Sequence, residues 1–137
     1  MCKVGDIVLV KKGFIGSSGT PCGTHSFIVI DNEGGQVKGL DYSIAATILS
    51  SFDGKNRDKK LSYPYNVEIL ASSTTMTDPN TQNYKDGFTK AEQVYFFDDS
   101  KTQYRVIGSI DSDIIEFLIE FIQSIPVEHI IAITDNL

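Results

Sequence analysis

Two short apolar runs, set apart by a stretch that cannot be helical, most constrain this chain. Ile7 to Val10 and Phe27 to Ile30 are rich in β-branched residues, the signature of strands. Between them FIGSSGTPCGT is crowded with Gly, Ser, Thr and Pro, which holds no helix and offers little to bury. Strands joined by such a loop form an open hairpin. A loop too long for a simple turn is functional or disordered, so a site is expected at the mouth of whatever barrel starts here.

The rest of the chain repeats this grammar. Asn32 to Gly35 is a turn signal, and Gln36 to Leu49 reads as one long strand or as two with a break at Gly39. Asp53 to Lys60 is a polar connection carrying Lys55, Arg57, Lys59 and Lys60, either a solvated loop or a basic binding patch. Tyr65 to Leu70 is a strand with Tyr65, Val67 and Ile69 on one face. Residues 72 to 87 hold almost no apolar side chains and read as an exposed loop. Phe88 to Asp98 returns to strand, and Tyr104 to Ile107 is a short strand or a 3₁₀ turn.

Asp111 to Ser124 is the one clear helix, with Asp113 and Glu116 suited to its N-terminal end. Its apolar residues cover well over half its circumference, more than one barrel face is expected to cover. A second apolar piece, VEHIIAI, follows Pro126. Both point to a dimer or partner surface. Many short strands and one late helix give a mainly β chain, a single small barrel over 1–137 with a C-terminal helix at about 111–124.

The net charge of −6 argues against a nucleic-acid ligand until its distribution is considered. Residues 1–110 hold 12 acidic and 12 basic side chains, whereas 111–137 hold six acids and no Lys or Arg. The imbalance belongs to the tail, and an RNA-binding face elsewhere stays open. No run is long enough for a membrane span and no signal-peptide core is present, so Cys2 and Cys22 are expected as reduced thiols in a cytoplasmic protein.

Four ordered blocks carry a resemblance: GDIVLV near the N-terminus, HSFIVID after the Gly-rich loop, YPYNVEI in mid-chain, and FTKAEQVYFFD followed by RVIGSIDSDIIEFLIEFI. In this order they resemble the PemK/MazF family, toxin components of bacterial toxin–antitoxin pairs. The resemblance implies an SH3-like barrel with a C-terminal helix, a homodimer, and a cognate antitoxin as partner. It also implies metal-independent, sequence-specific cleavage of single-stranded mRNA through a 2′,3′-cyclic phosphate, with no cofactor. The family's Arg-Pro pair opening the second strand is here Thr24-His25-Ser26, and the Arg of its late-strand Arg/acid pair is here Lys90, two residues before Glu92. A family Ser/Thr at the end of the third strand is matched by Ser50 or Ser51.

RNA cleavage without metal needs a base for the 2′-hydroxyl, an acid for the leaving oxygen, and donors or cations for the phosphorane. Lys90 and Glu92 are i and i+2 on a strand and face one way, with Ala91 inward; any solvated ion pair has the same spacing. His25 is the natural acid or base, or else a histidine bonded to the loop's backbone. The candidate catalytic set is therefore His25, Ser50, Lys90 and Glu92, and the candidate RNA-binding set is Thr24, Ser51, Lys55, Arg57, Lys59 and Lys60. Arg57 could stand in for the missing arginine. Tyr63, Phe14 and Phe52 could stack bases or fill the core, and His129 reads as structural.

Two other readings compete. A barrel that lost the family's arginines could bind RNA or a protein without cutting. A strand-opening histidine after GDIVLV also resembles NlpC-type cysteine peptidases, which need a cysteine at a helix N-terminus; Cys2 and Cys22 have no such helix in the sequence.

Overall fold

In a computed structural model, which describes residues 2–81 and 85–137, the chain is mainly β, with a curled half-barrel sheet and a terminal helix. The elements are β1 (Asp6–Val10), β2 (His25–Asp31), β3 (Gly35–Val37), β4 (Leu40–Tyr42), β5 (Ile44–Ser51), α1 (Arg57–Leu61), β6 (Asn66–Ile69), β7 (Thr74–Met76), β8 (Gly87–Lys90), β9 (Gln93–Phe97), β10 (Tyr104–Ile110), α2 (Ser112–Ser124) and β11 (Ile131–Ile133).

The main sheet runs β11-β9-β5-β2-β1-β10-β7, and β8 joins β5 to β6. All pairings are antiparallel except β11 with β9. Register shifts between Ile7 and Val8 and between Val29 and Asp31 mark bulges, which bend and twist a sheet. The strand β5 is long enough to serve two partners: Ile44 to Ala46 pair with β9, and Leu49 to Ser51 pair with β8.

Both faces of the sheet are buried, which explains why IVLV and FIVI read as unbroken apolar runs. Alternation sends Val8, Val10, Phe27 and Val29 into one core and Ile7 and Ile28 into the other. The first core centres on Phe27, whose ring meets Phe14, Tyr95 and Phe97 edge-on at centroid distances of 5.2, 5.0 and 5.3 Å. The second core sits under α2, where Ile115 and Leu118 pack with Ile69, Ala91, Ile107 and Ile110.

Several local expectations change. The Gly-rich loop has something to bury after all, because Phe14 lies in the first core. The loop is also tied down at its middle: the Ile15 N–H donates to Asn136 Oδ1 at 2.7 Å, and Asn136 Nδ2 donates back to the Ile15 carbonyl at 2.9 Å. The stretch from Gln36 to Leu49 is neither one strand nor two. A small separate hairpin, β3–β4, precedes β5, and it turns on Lys38 and Gly39, both at positive φ (51° and 78°), the backbone of a two-residue primed turn. The basic connection forms the short helix α1. Within 72–87, Thr74–Met76 pairs with the edge of β10, while residues 82–84 lie outside the described residues. FTKAEQVYFFD is two strands rather than one, divided at Ala91 and Glu92. The strand β10 runs on to Ile110.

The helix α2 is better covered than its composition suggests. Ile114, Ile119, Phe121 and Ile122 pack partly against the second core, and only Phe117, at 54 % exposure, stands clearly out among its large apolar side chains. Of the second apolar piece, Ile133 is buried beside β9, while Val127 and Ile131 stay exposed. Among the described residues, no helix is long and apolar enough to cross a membrane.

Candidate functional site

Four neighbouring strands, β2, β5, β8 and β6, bring chemistry to one surface. Ser26 lies opposite Leu49, Ser50 opposite Phe88, and Lys90 opposite Asn66. Over this surface opens a groove of about 590 Å³, lined by Thr24, His25, Ser50, Ser51, Lys60 and Lys90 among others. These six of the ten candidate residues come from separate parts of the sequence; strand pairing brings together His25, Ser50, Ser51 and Lys90, while Thr24 comes from the loop before β2 and Lys60 from α1. His25 reaches the groove because it opens β2, where the strand emerges from the Gly-rich loop.

A second cavity of about 300 Å³ adjoins the first. Lys60 and Lys90 line both, and Glu92 lines only the second, with Tyr63 and Asn66. Glu92 and His25 are therefore in adjoining cavities that share two lysines. Burial pushes the Glu92 carboxyl above its ordinary range, with the Lys90 charge opposing. Among the described residues, neither Lys60 nor Lys90 has a carboxylate within 4.0 Å, so both ammonium groups remain available to an anion. The Lys60 Nζ lies 5.9 Å from the centroid of the Phe88 ring, a cation–π distance, and Phe52 stacks on Phe88 at 5.3 Å. Phe88, backed by Phe52, thus floors the lysine side of the groove.

The remaining candidates stand apart. Lys55 and Lys59 are exposed and line neither cavity. The Arg57 guanidinium is engaged elsewhere, its Nε and Nη2 donating to Glu68 Oε2 on β6 at 2.8 and 2.6 Å. Its role here is to tie α1 to the sheet. His129 meets the Tyr65 hydroxyl through Nδ1 at 2.5 Å. Tyr63 lines the second cavity, whereas Phe14 belongs to the core.

Groove residues that the sequence reading missed include Ser26, Asp53 and Asn56. Asn56 carried a signal, since it stands just before α1, and Asn is a common residue at a helix start. Ser26 follows His25, and strand register alone tells that it lies opposite Leu49, at the end of β5 that carries Ser50.

Neither cysteine has the setting of a nucleophile. Cys2 is buried, and burial raises its thiol although a hydrogen bond with the Tyr104 hydroxyl opposes the shift. Cys22 lies in the Gly-rich loop and donates to the Thr20 carbonyl at 3.7 Å, with no helix at either cysteine. Among the described residues, no three His, Cys, Asp or Glu side chains are grouped to hold a metal ion.

The arrangement can hold a phosphodiester between two lysines, with hydroxyls from Ser50, Ser51 and Thr24 as donors and one imidazole at the rim. No family model matches the chain, and no curated protein matches it.

Proposed function

We propose that the groove binds single-stranded RNA and cleaves it without metal, by attack of the 2′-hydroxyl on the adjacent phosphate. The observation that carries this reading is the convergence of His25, Ser50, Ser51, Lys60 and Lys90, from four different elements or their edges, on one open groove. In this reading His25 moves the proton, as general base or acid. Lys90 and Lys60 stabilise the charge that builds on the phosphorane, and Ser50 donates to a non-bridging oxygen. Glu92, whose proton affinity burial raises, supplies the complementary proton-transfer group from the adjoining cavity. The ordered blocks that resemble the PemK/MazF toxins support the same reading, with an SH3-like barrel fold, a homodimer and a cognate antitoxin as its wider context.

Long single-stranded RNA incubated in EDTA should be cut to products ending in a 2′,3′-cyclic phosphate, with a bell-shaped pH profile. His25→Ala should slow cleavage by about 10²–10⁴ without lowering the melting temperature. Lys90→Arg should keep or raise activity, because a planar guanidinium suits phosphate at least as well.

A second reading rests on the separation of Glu92 from His25 by the lysine pair. A groove whose histidine and Glu92 are kept apart in this way binds RNA and leaves it intact. A clean preparation that binds several long RNAs and cuts none, with no rescue by Lys90→Arg, decides for this binding module.

A further inference from the structure

On the far side of the strand end that carries His25 lies a second cationic site. The end of β1, the start of the Gly-rich loop and the β9–β10 turn enclose a pocket of about 250 Å³. Its floor is apolar, made by Phe14 and Phe97, both buried in the first core. Its walls carry three lysines, Lys11, Lys12 and Lys101, with Gln103 beside them. This is a quarter of the chain's 12 basic side chains, gathered in a molecule whose net charge is negative.

None of the three ammonium groups has a carboxylate within 4.0 Å among the described residues. The acids of the neighbouring turn are already engaged. Asp98 accepts from the Ser100 N–H at 2.9 Å and from Ser100 Oγ at 2.7 Å, and Asp99 accepts from the Tyr104 hydroxyl. Those bonds, with a smaller contribution from the charge of Lys101, hold the Asp98 carboxyl below its ordinary range. The pocket is also firmly built. The Lys11 N–H donates to the Gln103 carbonyl at 3.1 Å, joining two of its walls, and Asn136 clamps the loop at Ile15. Three like charges around one pocket repel one another, and an anion between them relieves the repulsion.

The pocket and the groove share a rim. Val10 in the pocket pairs with His25 in the groove, and the Lys12 N–H donates to Thr24 Oγ1 at 3.2 Å. We propose that the lysine pocket is a phosphate-binding subsite, which takes a backbone phosphate of a strand that leaves the groove past His25 and Thr24. The strand half of this proposal rests on the RNA reading of the groove; the phosphate half does not.

The experiment compares wild type with Lys11→Gln, Lys12→Gln and Lys101→Gln combined. The probes are single-stranded RNAs of about four and about sixteen nucleotides, the ends of the range that small barrels cover, and inorganic pyrophosphate followed by amide NMR shifts. All three side chains are exposed, so the variant should keep the wild-type melting temperature. The long RNA should bind the variant more weakly, with a salt slope smaller by about 0.7, the share of one lost phosphate contact on a single strand. The short RNA should bind both proteins alike. Pyrophosphate should shift amides of 11–13 and 101–103 in the wild type only. Equal affinity and slope for the long RNA overturns the strand half while leaving the groove reading intact. RNA failing to bind wild type at either length, with the pyrophosphate shifts still present, overturns the groove reading and the strand half together and keeps the phosphate site. Absence of any saturable shift in the wild type overturns the phosphate site itself.

Discussion

Glu92 is a carboxylate held partly out of water, with the charge of Lys90 and a backbone hydrogen bond offsetting part of the loss of hydration. Its folded-state value lies above the ordinary 4.5, so ionising it in the folded protein costs stability. Below the ordinary value both states are protonated and Glu92 contributes nothing. As pH rises, the unfolded chain loses its proton first and stability falls; the loss is complete above the raised folded value. Glu92→Gln removes this dependence. The melting temperature of the variant should rise relative to wild type between acid and neutral pH, and the two should converge below the ordinary value. A gap that stays constant across that window would show that burial does not load this carboxyl. The same measurement bears on catalysis, because a carboxyl whose proton affinity burial raises is better suited to proton transfer than an exposed one.

At the scale of elements, the groove depends on how closely β8 approaches β5. A Cβ on Gly87 would lie 2.2 Å from the Ser50 carbonyl oxygen, a position no side chain can occupy without moving backbone. Gly87→Ala must therefore push β8 away from the half of β5 that carries Ser50 and Ser51. Overpacking of this kind costs about 1–3 kcal/mol, so the urea midpoint should fall, and RNA affinity should fall with it because Phe88 and Lys90 move on the same strand. Gly23→Ala is the matched control, since nothing lies within 4 Å of its Cβ position. Equal midpoints for the two variants would mean that β8 has slack the geometry does not suggest.

For the whole molecule, the proposed homodimer rests on apolar surface left over after folding. Phe117 stacks on Phe121 at 6.0 Å with 54 % of its surface exposed, and Val127 and Ile131 are 85 % and 48 % exposed. Most of α2 is satisfied by its own sheet, so a dimer would rest on these few side chains rather than on the full helix. Sedimentation at micromolar concentration should show a species of twice 15.1 kDa. Phe117→Glu should return it to the monomer mass with little change in melting temperature, because the side chain is outside the core. A single 15.1 kDa species for the wild-type protein would remove the dimer.

Local pattern alone determined the mainly β class, the strands β1, β2, β6 and the later half of FTKAEQVYFFD, and the helix α2. In β6 and α2 the apolar residues recur at the period of the element, a property of the backbone rather than of neighbours; β1 and β2 are marked instead by short runs of β-branched residues. Only tertiary structure decided the rest. Thr74–Met76 is a strand because β10 offers it an unpaired edge, and nothing in TTM announces that. The chain divides at Ala91 and Glu92 because β5 serves two partners and Ala91 must enter the second core; Lys90 and Glu92 still line one cavity, and it is His25 that lies in the adjoining one, which Lys90 also lines. Arg57, a candidate RNA contact by its place in a basic connection, is engaged by Glu68, eleven residues on, from a short helix that its own neighbours do not announce. Residue type and spacing report which side chains can do chemistry. Which of them meet is settled by strand register, a long-range pairing that sequence patterns record only where both faces of a strand are distinct.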